Sequence, residues 1–207
     1  VGGGDTPHAK DYQKLRNRIK GRPDEQLLQT VLLRSMQQAV YSPDNLGHFG
    51  LAYDAYAHFT SPIRRYPDLI IHRSIKAVLE GHRYQGGDWH HLGQHCSMTE
   101  RRADDASKDV ESWLKCQFMR ERVGEQFPGR ITGVAPFGLF VTLDELFVEG
   151  LVHVSELGGE YFRFDEARQE LRGERTGIRY AIGTRVHVQV SRVDLDGRKI
   201  DFEFWLS

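Results

Sequence analysis

No apolar run in these 207 residues approaches the roughly 20 needed to cross a bilayer, so a membrane-spanning helix is excluded. Cysteine is nearly absent. Cys96 and Cys116 stand far apart with no CxxC, which leaves no zinc-ribbon spacing and no disulfide framework. Two thiols without a signal segment fit reduced cysteines and a cytoplasmic setting. Net charge is also nearly absent, at -1. A strongly basic nucleic-acid binder is thereby excluded, and any such site must be a local patch. Halving the chain changes little: residues 1–116 carry +2 and residues 117–207 carry -3. There is no internal repeat and no low-complexity tract. The opening VGGGDTPHAK has neither an initiator Met nor a basic-then-apolar leader, and its glycines resemble a linker. A piece of a longer chain is expected.

What is present changes rhythm near residue 125. Before that point the apolar spacing is helical. Leu27, Leu28, Val31, Leu32, Met36, Ala39 and Val40 mark one face, and Pro23 with Asp24 suits a first turn. SPDNLGHFG, residues 42–50, is turn chemistry. A second helix is expected to begin at Thr60-Ser61-Pro62, capped by the hydroxyl residues, with Pro67 kinking or splitting it. A third is expected from about Trp89 to Arg122, burying Leu92, Cys96, Thr99, Ala103, Ala106, Val110, Trp113 and Phe118.

After Gly124 the period becomes two. GRITGVAPFGLFVTL, EGLVHV, RVHVQVSRVD and RKIDFEF read as five short strands, and the Asp194–Gly197 turn closes a hairpin. A longer irregular stretch, about 155–182, separates strands three and four. Five strands with one insertion fit a small Greek-key barrel of the OB type. Phe137 and Phe140 flank the first turn, and alternation places Phe140 and His153 on one outer side. Such rings stack on single-stranded bases, and Arg198 with Lys199 would meet phosphates. Equally, both phenylalanines would serve as barrel core.

GRITGVAPFGLFVTL, EGLVHVSEL and VHVQVSRVDLDGRKIDFEF, across about 125–205, resemble the RNA-binding OB domain named after ribosomal protein S1. That resemblance implies an RNA face made of Phe137, Phe140, His153, Asp194 and Arg198.

The helical half is dense in polar groups over AYAHFTSPIRRYPDLIIHR, residues 55–73. Thr60 and Ser61 opening a helix, with Arg64 and Arg65 just beyond, form a phosphate cradle in one reading. Tyr56 and His58 would stack on a base or sugar. In the other reading the helix is simply capped and its arginines pair with Asp68 and other carboxylates.

HFGLAYDAYAHFTSPIRRYPDLIIHRSIKAVL is similar to the C-terminal part of the catalytic domain of the exoribonuclease II family, and HCSMTERRADDASKDVESWLKCQFM extends the similarity into the S1-type segment. The resemblance implies an α+β chain. A mainly helical remnant of the catalytic domain would cover 1–122, and a five-stranded OB-fold barrel 123–207. It implies processive 3′-to-5′ hydrolysis of RNA, structured RNA included, to nucleoside monophosphates. Arg64 would sit at the scissile phosphate, with Arg65 as a weaker phosphate ligand. Hydrolysis of this kind uses divalent metal held by hard oxygen ligands. The family's aspartate cluster, which binds Mg²⁺ in the full-length enzyme, lies upstream of the TSPIR string, so no metal ligand is assigned in this chain. The expected partners are single-stranded RNA and RNA with a 3′ overhang, with no membrane. Apolar surface left by an incomplete domain would favour self-association. Two other classes stay open: a non-catalytic RNA-binding module, and an inactive packed or dimeric fragment.

Three further constellations have plainer readings. Asp104, Asp105 and Asp109 fit a solvated helix face paired with Arg101, Arg102 and Lys108. His91 and His95 have the spacing of a helical zinc pair, but His90 and Cys96 beside them complete no motif. Ser61 and His58 lack the third partner of a hydrolase.

Overall fold

The computed structural model describes residues 7–22 and 24–205. Pro23, part of the expected first turn of a helix, lies outside the described residues. The chain divides into two compact units. One lies within Val1–Lys20 and Leu32–Ala106, the other within Gly21–Val31 and Ser107–Ser207.

Four α-helices come first: α1 (Ala9–Ile19), α2 (Glu25–Arg34), α3 (Tyr66–Leu79) and α4 (Trp89–Arg120). Helix α1 was not foreseen. Its polar sequence offers only Tyr12, Leu15 and Ile19 on one stripe, and Ile19 alone is buried. Helix α2 stops at Arg34 rather than near Val40. The Ser35 hydroxyl takes the Leu32 carbonyl at 2.7 Å, and the Met36 amide turns back to Leu33. Such back-bonding competes with the helical ladder. Helix α3 starts at Tyr66, not at Thr60-Ser61. Pro67 has no N–H to continue a helix from upstream and is tolerated in a first turn, which is where it lies. There is therefore no kink, and the expected hydroxyl cap is replaced by Arg65 in extended conformation.

Helix α4 matches its expected span, but its buried side does not. Cys96 and Ser97 are buried near one end and Cys116 and Met119 near the other. Ala103, Ala106, Val110, Trp113 and Phe118 are exposed. Apolar spacing identified the helix correctly, but residues 100–111 along its middle are all exposed. Phe118 is instead covered by the Arg122 guanidinium, 3.6 Å from its ring centre. Among the described residues no helix is long and apolar enough to cross a membrane.

The rest is strand-rich, giving an α+β chain. Strands β1 (Gln126–Ala135), β2 (Gly138–Leu143), β3 (Glu149–His153), β7 (Arg185–Asp194) and β8 (Lys199–Phe204) close into a barrel in the order β1-β2-β3-β8-β7. All pairs are antiparallel except β3–β8, the parallel closure of an OB fold. Ile131, Leu139, Val141, Val152, Val188, Val190 and Phe202 fill it, and Cys116 and Met119 of α4 join the same core. The stretch expected to be irregular is not. It forms a 3₁₀ turn (Val154–Leu157) and a three-stranded sheet of β4 (Phe162–Asp165), β5 (Glu170–Gly173) and β6 (Arg179–Ala181). Strands of three or four residues are too short for an alternation signal, and charged side chains fill half of the positions.

Candidate nucleic-acid interface

In the first unit the TSPIR residues form a tight turn. The amides of Arg64 and Arg65 both return to the Ser61 carbonyl, at 3.2 and 3.0 Å. The turn is tied to α3 by one carboxylate. Asp68 is wholly buried, and its Oδ2 accepts the Ser61 amide at 2.7 Å and an Arg65 guanidinium N–H at 2.9 Å. Burial alone would raise the Asp68 carboxyl. The Ser61 amide and the Arg65 charge outweigh it and hold the group below its usual range. Arg65 is thus committed to Asp68, as one of the two sequence readings had it. Arg64 is exposed and points to no partner among the described residues. Thr60 and Ser61 sit at the turn, and Ser61 contributes its backbone rather than a helix cap.

Aromatic and imidazole rings cluster in the same unit. Tyr56 and His58 meet edge to face at 5.7 Å, Tyr56 stacks near-parallel on Tyr53, and His48 meets Tyr56 at 5.1 Å. The Tyr41 hydroxyl lies 2.7 Å from His58 Nδ1 and donates to Glu100 at 3.3 Å. One hydroxyl proton serves one acceptor, so this arrangement has His58 Nδ1–H donating to Tyr41. Burial, then the Glu100 charge, pushes the Tyr41 hydroxyl up to about 12, and it stays a donor. Tyr53 and Tyr56 are each at least half exposed. Exposed, pre-oriented rings suit base stacking. Sequence reading found Tyr56 and His58 but missed Tyr41, His48, Tyr53 and Glu100. His48 falls in the stretch 42–50 that reads as turn chemistry, and Tyr41, Tyr53 and Glu100 carry no motif of their own until the chain folds.

In the second unit the barrel register gathers the S1-type residues. Gly138 pairs with His153 and Phe140 with Leu151, so Phe140 and His153 share an outer side on adjacent strands. Phe137 and Phe140 meet edge to face at 6.0 Å. Phe137 and His153 are exposed and Phe140 is half-buried. None of the three belongs to the barrel core. Gly133 lies under the Phe140 ring. A Cβ there would stand 3.1 Å from ring atom Cδ2, so glycine lets the ring lie flat on the wall. His153 Nδ1 is engaged by the amide and hydroxyl of Ser155, at 3.3 and 2.8 Å, which leaves Nε2 for a ligand.

The last hairpin is more committed than its sequence implies. Asp194 Oδ1 accepts the Gly197 amide at 2.9 Å, and this bond first of all depresses its carboxyl. Arg198, at a turn position with φ 51°, pairs with Asp109 of α4 at 2.9 Å. Asp109 is therefore not paired with Arg101, Arg102 or Lys108 as expected. Lys199 is exposed and opens β8. The register adds to Phe140 three residues that sequence reading missed: Leu151, Asp201 and Arg192 fall in one row with it across β2, β3, β8 and β7. Only the strand order reveals Arg192, because β7 and β2 are far apart in the chain.

Among the described residues no three His, Cys, Asp or Glu come together closely enough to hold an ion. Asp104, Asp105, His91 and His95 are exposed on α4, and His90 lies 3.9 Å from Asp44.

Comparison with known proteins follows the same division. The RNB domain family matches residues 5–81, and the S1 RNA binding domain family matches residues 120–204. Ribonuclease R of Escherichia coli (strain K12) is 54% identical over 97% of this chain, which spans 26% of that protein. Mycoplasma genitalium RNase R, solved in complex with ribose methylated single-stranded RNA, is 26% identical with a TM-score of 0.85. The match covers 97% of this chain and 32% of that one. Yeast Ssd1, described as a pseudonuclease, is 26% identical with a TM-score of 0.61, over 82% of this chain and 23% of its own.

Proposed function

Because the chain is 54% identical to ribonuclease R over 97% of its length, while spanning about a quarter of the curated relatives it matches, we propose that it is the RNA-holding part of a processive 3′-to-5′ exoribonuclease. The whole enzyme hydrolyses RNA, structured RNA included, to nucleoside monophosphates. Arg64 meets the scissile phosphate and stabilises charge developing on its oxygens. Tyr56 and His58 flank the strand, Thr60 and Ser61 shape the turn, and Arg65 acts through Asp68. Phe137, Phe140, His153, Arg198 and Lys199 hold single-stranded RNA or a 3′ overhang on the barrel, with Asp194 fixing their hairpin. The functional division lies near residue 122. Mg²⁺ is supplied by ligands outside this chain, the setting is the cytoplasm, and exposed apolar side chains of α4 permit self-association.

The observation that carries the reading is the TSPIR turn. It is anchored at Ser61 and Arg65 by one buried carboxylate, and it leaves Arg64 as an exposed guanidinium without a side-chain partner among the described residues. A second reading, a non-catalytic RNA-binding relative, draws support from the likeness to Ssd1 and from the lack of a metal-sized cluster among the described residues.

Incubating this chain with 5′-labelled single-stranded RNA and Mg²⁺ tests the division of labour. The expected gel shows intact RNA. A ladder shrinking from the 3′ end and lost in Arg64→Ala would place a working metal site within these residues. In a binding assay, Phe140→Ala with His153→Ala is expected to weaken RNA affinity by roughly 1–3 kcal/mol per stacked base, or about 5- to 150-fold. Unchanged anisotropy curves would remove the barrel face from the RNA site.

A further inference from the structure

The small sheet inserted between β3 and β7 carries charge in an order its sequence conceals. Residues 155–182 hold five arginines, no lysine and six carboxylates, with a net charge near zero. Strand register sorts them. Arg163 pairs with Arg172, and Arg172 with Arg179, so three arginines stand side by side across β4, β5 and β6. All three are exposed. The next row, Phe164, Leu171 and Tyr180, belongs by alternation to the other face, where Leu171 is fully buried. Tyr161 is 71% exposed and stands immediately before β4, two residues from Arg163.

Adjacent strands lie about 4.8 Å apart, so the row sets three positive charges within about 10 Å. Like charges directly opposite one another destabilise a sheet. The neighbouring carboxylates do not relieve them. Glu160 is taken up by the Thr176 hydroxyl, which first of all depresses its carboxyl, and by the amides of Thr176 and Arg175. Asp165 accepts the Arg168 amide at 3.0 Å, and the Arg168 side chain lies 4.0 Å from both Asp165 and Glu170. Glu166 and Glu174 sit in the turns outside the row. Through their side chains, Arg163, Arg172 and Arg179 take no part in a hydrogen bond or ion pair among the described residues. The repulsion is therefore left standing, and a polyanion laid along the row would cancel it.

We propose that Arg163, Arg172 and Arg179 form a second phosphate-binding strip, outside the barrel face, that grips the backbone of single-stranded RNA. The proposal rests on the reading of this unit as RNA-binding and names where part of its electrostatic grip lies. Arginine suits the task because its planar fork holds a phosphate through two parallel N–H bonds. Tyr161 offers a ring on which a base next to the gripped phosphates stacks. The strip reads no sequence, since phosphate contacts carry none.

The test is RNA binding by this chain, followed by anisotropy of a labelled single-stranded RNA across a KCl series. Three variants are compared: Arg163→Gln/Arg172→Gln/Arg179→Gln, Phe140→Ala/His153→Ala, and wild type. The arginine variant is expected to lower the slope of log affinity against log salt by about 2, from three phosphate contacts at about 0.7 each. The aromatic variant is expected to lose affinity with its slope intact. Melting of the arginine variant at or above the wild-type temperature in low salt confirms folding and the relieved repulsion. An unchanged slope and affinity in a folded arginine variant overturns the strip, whatever the aromatic variant does. Loss in the arginine variant with full binding by the aromatic one leaves the strip standing and overturns the barrel-face reading instead.

Discussion

Replacing Asp68 by alanine is expected to destabilise its unit by about 3 kcal/mol and to release the turn that presents Arg64. The carboxylate is wholly buried and binds two groups at once, the Ser61 amide and the Arg65 guanidinium. Removing it leaves both without their partner. The figure sits at the low end for a broken buried pair for two reasons. Asp68 Oδ1 and Arg65 Nε are already buried without partners, and Arg65 keeps 22% of its side chain in solvent. Asp68→Asn separates shape from charge. It keeps an acceptor for the Ser61 amide and loses the ion pair.

The same carboxyl gives a pH signature. Its folded value lies below the ordinary 3.8, because the Ser61 and Arg65 contacts outweigh the effect of burial. A carboxyl depressed by folding adds stability that is fully present above its unfolded value. That stability is lost as pH falls through the folded value. Wild-type stability is therefore expected to decline below about pH 4, and the Asn variant to decline less over that window. Urea unfolding at a series of pH values reads both effects. Parallel curves for wild type and Asp68→Asn would mean that the Arg65 pair adds nothing to the clamp.

Phe202→Ala is expected to cost about 3–5 kcal/mol, the range for emptying a large aromatic site in a core. Phe202 is 1% exposed and pairs with Val152 on one side and Val190 on the other. It therefore sits where the parallel β3–β8 contact closes the barrel. Its ring lies directly on Gly150. A Cβ at that position would come within 2.5 Å of the ring and 2.8 Å of the Ile200 carbonyl. Nothing larger than glycine fits between strand and ring, and no neighbour is placed to fill the void that alanine would leave. Loosening this seam also frees His153, one residue beyond Val152, so RNA affinity should fall with stability. Thermal melts and anisotropy on one preparation measure both. A melting temperature within a degree or two of wild type would mean the barrel closes without this ring.

Much of this was legible before folding. A two-residue rhythm with turn residues at Pro136, Gly138 and Asp194–Gly197 identifies the barrel strands, because alternation survives wherever one face is buried. The TSPIRRYPD string and the S1-type motifs name the residues around which both sites form. Helix α4 is readable for most of its length. Its buried face is not, because burial depends on what lies opposite, and residues 100–111 along its middle are all exposed. Helix α3 was placed several residues too early. Ser-Pro is a good helix start in isolation, but Pro67 supplies a later one, and Asp68 spends its carboxylate tying Ser61 back as a turn.

Chain order and local chemistry decide which segments become helix, strand and turn. They do not decide which charges are paired. Arg198 pairs with Asp109, which lies 89 residues earlier in the chain, and Arg65 rather than Arg64 takes Asp68. Nor do they reveal that Arg163, Arg172 and Arg179, scattered through a segment of near-neutral charge, stand in a single row. Pairing and rows are properties of strand register and of helix placement. Both are set by which apolar faces bury together, and a register shift of one residue would send every one of those arginines to the opposite face.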